Sequence, residues 1–383
     1  MKLSDRDWKE FFLEDIFSVG SGKRLTNADK IDGTRPFIGA TDNMNGVTGF
    51  VDNENSSLDN NVLGVNYNGA PCIGFYHPYE CIFTDDVKRL HLKNHEDNQY
   101  VLLFFKTIIL QQKNKYCYGY KFNERRMLRQ IIVVPVDDND EPDYEFMEDY
   151  MKELMAAKRK QYQKYVEQRL VELGIDDVKI PKRGGYNLDL DSREWNKFNV
   201  NDIFVVGHGF YNKKPPMSEN GDFPFIGASG ENNGVTGFTT IKNVENNSKL
   251  GYGRNEPLDK KVFSKGHLCV VNNGSVGYTY YQPSDFTCTH DVNPLWLRSC
   301  NMNKYLGLFL SQMIKNQGVC FTYARKWRPS RMIHSCIMLP VNDNKEPDYE
   351  FMEECGRKIM AKKYIQYLKY LESTCESSNL LLK

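Results

Sequence analysis

The chain has 383 residues, 50 Lys plus Arg against 50 Asp plus Glu, and a hydrophobic share of 40%. That is enough for two packed cores, and a formal charge of zero excludes the general basic excess of a free-standing nucleic-acid binder without excluding local basic faces. The longest apolar candidate, Val101–Leu110, is interrupted by Lys106 and too short to span a bilayer, and ten Cys with no Cys-x-x-Cys pair exclude a dense disulfide scaffold or a close-ligand zinc site.

The chain opens on a charged stretch, Lys2–Glu10, with no signal-peptide core. With reduced thiols, this places the expectation in the cytoplasm. Trp8, Phe11, Asp15, Ile16 and Phe17 come first, followed by Gly20-Ser21-Gly22. Short runs at Phe37–Ala40, Val47–Val51 and Val62–Tyr67 read as strands broken by Asn and Gly. Asn45-Gly46 predicts a type I′ hairpin turn, because both positions need positive φ. Over Asn98–Lys113, Tyr100, Leu103, Phe104 and Ile108 share a helical face. After a strand at Ile131–Val136, Pro142 suits a first helical turn that has no use for its missing N–H, and Asp143 and Glu145 complement the dipole there. The helix then continues to a stop at Gly174. About 30 residues at 1.5 Å each make a rod of roughly 45 Å.

All of this recurs. Glu-Pro-Asp-Tyr-Glu-Phe-Met-Glu stands at 141–148 and again at 346–353, an offset of 346 − 141 = 205. Trp195, Phe198, Asp202, Ile203 and Phe204 repeat the opening at 195 − 8 = 187, and Asn233-Gly234 repeats the turn at 233 − 45 = 188. The second copy therefore carries about 17 extra residues within roughly 239–268. Helix Met302–Asn316 and strand Ile337–Val341 match their first-copy partners. The chain is a tandem duplication of one large unit. Its boundaries read as a globular part at 1–140, a helix at 141–174, a linker at 175–192, a second globular part at 193–345 and a second helix at 346–376.

The rods carry an apolar stripe, Met147, Met151, Leu154, Tyr162 and Tyr165 on the first, Ile359, Leu368 and Leu371 on the second. A lone polar-rich rod is poorly stable in water; antiparallel pairing would bury both stripes, and packing of each rod on its own globular part is the alternative. Gly356 weakens the second rod by about 1 kcal/mol on propensity.

The two copies of Trp-x-x-Phe with Asp-Ile-Phe, the Gly-x-Gly after each (Gly20 and Gly22, Gly207 and Gly209), the Pro-Phe-Ile-Gly-Ala strands and the closing helices together resemble the DNA-specificity (S) subunits of type I restriction–modification enzymes and the related type IIB enzymes. The likeness covers essentially the whole chain. It implies an α+β fold: two mixed α/β target-recognition domains in tandem, each followed by a long helix, the helices pairing antiparallel with pseudo-twofold symmetry. It also implies a bacterial, non-catalytic subunit that reads a bipartite target in double-stranded DNA. Methyltransferase (modification) subunits, and an endonuclease subunit, are the implied partners. S-adenosylmethionine would sit on the modification subunit, and no cofactor or metal on this chain.

Base readers are Arg and Lys at guanine and Asn and Gln at adenine. The main basic-aromatic cluster is Tyr116, Tyr118, Tyr120, Lys121, Arg125, Arg126 and Arg129, matched by Tyr323, Arg325, Lys326, Arg328 and Arg331. The retained pairs Tyr118/Tyr323, Lys121/Lys326 and Arg126/Arg331 read as shared phosphate contacts. Lys23 and Arg24 against Lys213 and Lys214 give each half a second basic site, with Asn66, Asn68, Asn272 and Asn273 as further candidates. His77, Asp85 and Asp86, or His290 and Asp291, imitate acid–base pairs but lack a nucleophile and read as structural. Two other functions stay open: an adaptor or decoy that binds restriction subunits without reading DNA, and a metal-dependent nuclease prompted by Pro142-Asp143 and Pro347-Asp348.

Overall fold

A computed structural model of the chain describes residues 1–117, 119–174, 190–322 and 324–380, with 372–380 described as backbone alone. It divides into two compact units, Met1–Tyr165 and Val166–Lys383, the division falling inside the first long helix. The first copy runs β1 (Trp8–Phe12), α1 (Leu13–Ile16), β2 (Phe17–Ser21), β3 (Asp32–Ile38), β4 (Val47–Val51), β5 (Val62–Asn66), β6 (Gly74–His77), β7 (Ile82–Phe83), β8 (Val87–Leu92), α2 (Gln99–Leu110), α3 (Glu124–Leu128), β9 (Ile131–Pro135) and α4 (Tyr144–Glu172). The second runs β10 (Trp195–Asn199), α5 (Val200–Ile203), β11 (Phe204–Val206), β12 (Phe223–Ile226), β13 (Val235–Thr239), α6 (Ile241–Asn246), β14 (His267–Val271), β15 (Thr279–Gln282), β16 (Thr287–Cys288), β17 (Val292–Leu297), α7 (Lys304–Gly318), α8 (Pro329–Met332), β18 (Cys336–Pro340) and α9 (Tyr349–Leu380).

Each copy folds into the same three sheets. In the first, β1 pairs antiparallel with β9, β2-β8-β5-β6 form an antiparallel sheet, and β4-β3-β7 form a mixed one. The second repeats these orders as β10-β18, β11-β17-β14-β15 and β13-β12-β16. Strand β5 is buried along its whole length, as a continuous Val-Leu-Gly-Val run inside a sheet should be. Helix α2 lies over this sheet with Asn98 as its cap, the Asn98 side chain accepting from the Tyr100 N–H at 2.8 Å. Phe17 and Phe105 meet edge-on at 4.9 Å between centroids, within a core that also holds Leu13, Leu63, Leu90 and Ile132. Phe204, Leu268, Leu295, Leu310 and Trp327 build the corresponding core of the second copy.

Several expectations from the sequence change form. Asn45 and Gly46 do take positive φ, 53° and 76°, and the Val47 N–H closes the turn on the Met44 carbonyl. They do not link two strands directly: Ile38 pairs with Val47, so the turn sits at the end of a longer connection. Pro142 lies outside α4. Asp143 caps the helix instead, its carboxylate accepting from the Phe146 N–H at 2.8 Å, and Asp348 does the same for Phe351 at 3.0 Å.

The helix-pairing residues also separate into two groups. Met147 is fully buried in the core of its own domain and Met151 packs against that core, so neither is available as a helix-to-helix contact along its whole length. Leu154 and Ile359 occupy equivalent positions (359 − 205 = 154) and are 40% and 41% exposed. Tyr165 is exposed, Tyr162 and Leu371 are half-buried, and Leu368 is buried. The apolar stripe starts as a continuation of the globular core and recurs farther along each helix, with Val166 and Leu170 buried on α4 and Ala361, Ile365 and Leu368 buried on α9, so Leu154 and Ile359 lie off its buried line.

Candidate nucleic-acid interface

The connection from α2 to α3 brings the first basic-aromatic cluster together. Cys117 and Tyr120 exchange backbone hydrogen bonds of 3.1 and 2.9 Å, making a tight hairpin with Gly119 at its tip; Tyr118 lies outside the described residues. Phe122 is fully buried beneath the hairpin and anchors it, with the Tyr116 ring packed on it at 4.5 Å. Tyr116 also stacks on Tyr120, at 5.7 Å and 10°. Asn123 caps α3 by accepting from the Arg126 N–H at 3.1 Å. The Arg126 guanidinium lies 3.9 Å over the Tyr120 ring and donates to the Lys121 carbonyl at 2.8 Å.

Around this frame lies an open pocket of about 600 Å³ lined by Lys115, Tyr116, Tyr120, Asn123, Arg125, Arg126, Arg129 and Gln130. Among the described residues, four cations and no carboxylate line it, which makes it an anion site by charge. Glu124, the nearest acid in sequence, turns away: Lys88 holds it at 2.7 Å and Ser21 donates to it at 3.2 Å, and the Lys88 ammonium lowers its pKa. Burial pushes the Tyr116 hydroxyl up to about 12, so it stays a neutral donor, and it donates to Gln130 Oε1 at 2.6 Å.

The second copy rebuilds the frame and changes the lining. Thr322 and Arg325 form the same hairpin through bonds of 3.2 and 3.0 Å, Tyr323 again lying outside the described residues. Trp327 replaces Phe122 as the buried anchor, with Phe321 stacked on it at 4.8 Å and its indole N–H donating to Ser335 at 2.9 Å. Arg331 donates to the Lys326 carbonyl at 2.9 Å, repeating the Arg126–Lys121 bond. The retained pair Arg126/Arg331 therefore has a structural duty, bracing the hairpin, besides any phosphate contact. At the lining positions, Lys115, Arg125 and Arg129 become Cys320, Ser330 and His334 at the offset of 205. Arg328 is exposed at the N-cap of α8. Lys121 is exposed and Lys326 half-buried.

The second basic site is on the surface as expected: Lys23, Arg24, Lys213 and Lys214 are all exposed. Lys214 lies 5.4 Å over the Phe225 ring, where Lys30 covers the equivalent Phe37 at 4.7 Å. The Asn candidates need correction. Asn66 is 2% exposed and donates to the Thr41 carbonyl at 2.8 Å; Asn272 is 6% exposed and donates to His290 O at 3.1 Å and Asn293 Oδ1 at 2.6 Å. Both side chains satisfy internal carbonyls that burial would otherwise leave unpaired, so neither reaches a base edge. Asn68 and Asn273 hold Asp86 and Asp291 at 2.9 and 3.0 Å, the same latch in each copy.

Asp143 and Asp348 are likewise engaged. Besides capping, they accept from Arg6 at 2.7 Å and from Arg193 at 3.0 Å, which leaves neither as a free metal ligand. His77 packs edge-on to Phe83 and Tyr79, and burial pushes its pKa down to about 4. Lys115, Asn123 and Gln130 line the pocket without having been expected there; the Lys113-Asn114-Lys115 run just before Tyr116 was the available signal for the first. Among the described residues, no helix is long and apolar enough to cross a membrane.

The family described as "Type I restriction modification DNA specificity domain" matches twice, over residues 5–164 and 192–369. The chain belongs to this family. A specificity subunit of a type II restriction enzyme from Heyndrickxia coagulans is 58% identical over 149 residues, a stretch that is 39% of this chain and 44% of that subunit. The chain is thus matched to under half the length of that curated relative. Among solved structures, a type I restriction–modification S subunit from M. genitalium aligns with 100% of this chain and 96% of its own, at 14% identity and a TM-score of 0.46. The HsdS subunit of Thermoanaerobacter tengcongensis aligns with 95% of this chain and 91% of its own, at 11% identity and a TM-score of 0.31. The two specificity-domain matches bracket the two copies of the hairpin site, one each.

Proposed function

We propose that this member of the specificity-domain family is the DNA-reading subunit of a restriction–modification complex, with one half of a bipartite target read by each domain. The observation that carries the reading is the pair of hairpins: one bracing frame built twice, with Arg126 and Arg331 in the same bond, and different residues displayed on each. A reader of two unlike half-sites needs that combination, a fixed docking frame and a variable surface. The open, four-cation pocket of the first domain suits phosphate or a guanine edge.

Helices α4 and α9 are proposed to pair antiparallel and to dock methyltransferase subunits. At about 1.5 Å per residue, the 29 residues of α4 reach roughly 43 Å, enough to set two modules one turn of B-DNA apart. S-adenosylmethionine and the methyl transfer belong to the partner, and this chain acts as a non-catalytic platform in the bacterial cytoplasm. The identity to a type II enzyme's specificity subunit favours that class of complex. Mapping methylation across the genome of a host that carries the modification subunit, with and without this chain, tests the proposal. A two-part motif with a fixed gap, methylated only when the chain is present, is the expected result. Co-purification of the complex without any new motif would replace the reader with an adaptor.

A further inference from the structure

The longer connection of the second copy is built unlike a drifting loop. Ten residues separate β4 from β5 (62 − 51 − 1), whereas 27 separate β13 from β14 (267 − 239 − 1), a difference of 17. Thr240 caps α6 by accepting from the Asn243 N–H at 3.2 Å, and the chain then turns out to an exposed tip at 249–254. Gly251 and Gly253 take φ of 80° and 79° on either side of Tyr252, a backbone that L side chains rarely adopt. Tyr252 is 73% exposed, among the most exposed large side chains described.

Beneath the tip lies Lys261, fully buried. Its ammonium lies 3.0, 2.9 and 2.9 Å from the carbonyls of Val244, Glu245 and Asn247 and 2.5 Å from Asn255 Oδ1, four acceptors that share its three N–H donors. Burying a charge is costly unless every proton finds an acceptor, and here one cation gathers the base of the loop as a bound metal ion would. Tyr211, also buried, donates to the Val244 carbonyl at 2.9 Å from the other side. The staple fixes the loop before any ligand arrives. The outer face is cationic: Lys249 and Arg254 flank Tyr252, and Lys213 passes so close to Gly251 that a Cβ there would meet Lys213 Cδ at 2.7 Å. Glu256 is paired with Lys260 at 3.6 Å.

We infer that the 240–266 connection, with its 17 extra residues, is a preformed DNA-contacting finger, in which Lys249 and Arg254, with the neighbouring Lys213, engage phosphates of duplex DNA and Tyr252 contacts base edges in the half-site of the second domain. The inference rests on the reader assignment above and gives the second domain a determinant that the first lacks. Preorganisation serves it directly, since a loop already fixed loses little freedom on binding.

The test uses the full chain assembled with its modification subunit and a duplex carrying the motif that the wild-type complex methylates. Lys249→Ala with Arg254→Ala should lower affinity on the order of tenfold or more and make the salt slope shallower by about 2, one per lost phosphate contact. Tyr252→Ala should relax base preference in one half of the motif and leave the other half unchanged. These side chains are exposed, so assembly and melting temperature should not move; Lys261→Met, which releases the staple, should weaken binding even with the tip residues intact. A triple Lys249, Tyr252, Arg254→Ala variant that assembles and keeps affinity, salt slope and motif would overturn the finger while sparing the reader. A wild-type complex that writes no two-part motif would remove the reader, and the finger with it.

Discussion

Replacing Gly356 by Ala sets helix propensity against packing. Gly356 sits in the second turn of α9, where the helix crosses the start of α7, and an added Cβ would stand 2.3 Å from the Tyr305 carbonyl oxygen and 2.8 Å from its carbon. Both atoms are backbone, so no side chain can swing aside. Ordinary contact is roughly 3.5 Å, hence the helices must separate by about 1 Å. Met151 occupies the equivalent place in the first copy (356 − 205 = 151), and in the second Arg357 lies 4.3 Å over the Tyr305 ring. Separation would loosen that clamp and the Met352 and Cys355 contacts with the core. Overpacking of this kind costs about 2–3 kcal/mol, while Ala gains about 1 kcal/mol of propensity. The net is a loss of about 1–2 kcal/mol, or roughly 2–8 °C for a domain of this size. Calorimetry of the whole chain, comparing wild type with Gly356→Ala, reads it directly. A melting temperature that stays level or rises would refute the argument, because propensity alone would then decide the sign.

Other expectations follow from the same structure. His91 lies between Asp97 at 2.6 Å and Asp59 at 3.0 Å, and its hydrogen bond to Asp97 chiefly raises its pKa to about 9. A raised folded-state value means that the stabilisation is complete below the unfolded value of about 6.5 and disappears as pH rises through about 9. His91→Gln should therefore cost roughly 1–2 kcal/mol near pH 6, after solvent screening of a side chain 32% exposed, and almost nothing near pH 10. Urea midpoints differing by the same amount at both pH values would contradict this. Asn272→Ala should destabilise by about 1–3 kcal/mol by orphaning buried acceptors and leave the methylated motif unaltered; a changed motif in a stable variant would return Asn272 to the recognition surface. Arg125→Glu with Arg129→Glu should abolish DNA binding by the assembled complex without shifting its melting temperature, as judged by equilibrium binding. Arg126→Ala should lower that temperature as well, since it also removes a brace and a cation–aromatic contact.

Much of the fold was readable because duplication checks each element against its twin. Asn98 and Asn303 both cap a helix just before an apolar stripe, and the Asn-Gly pairs both take positive φ. Local chemistry settles such features. What it does not settle is which way a polar side chain points. Asn66 and Asn68 are two residues apart on an Asn-rich segment, yet one is buried and donates to the Thr41 carbonyl while the other, half-buried, latches Asp86. That difference is set by strand register and by neighbours distant in sequence. Gly356 is the same lesson with the opposite sign: by propensity a defect, in place the residue that lets two helices touch.

Arg126 and Arg331 show that retention alone does not assign a ligand contact. Within a duplicated unit, a residue that binds the common part of DNA and a residue that braces the common scaffold are kept alike. Here both guanidiniums donate to a carbonyl of their own hairpin, a duty that would keep them with or without a phosphate contact. The positions that differ, Arg125 against Ser330 and Arg129 against His334, are the ones with no framework bond in common and the ones that shape the open surface. Specificity in a duplicated reader should therefore be sought where the copies disagree on the rim of a frame on which they agree, and the 17 extra residues before β14 are the largest such disagreement in the chain.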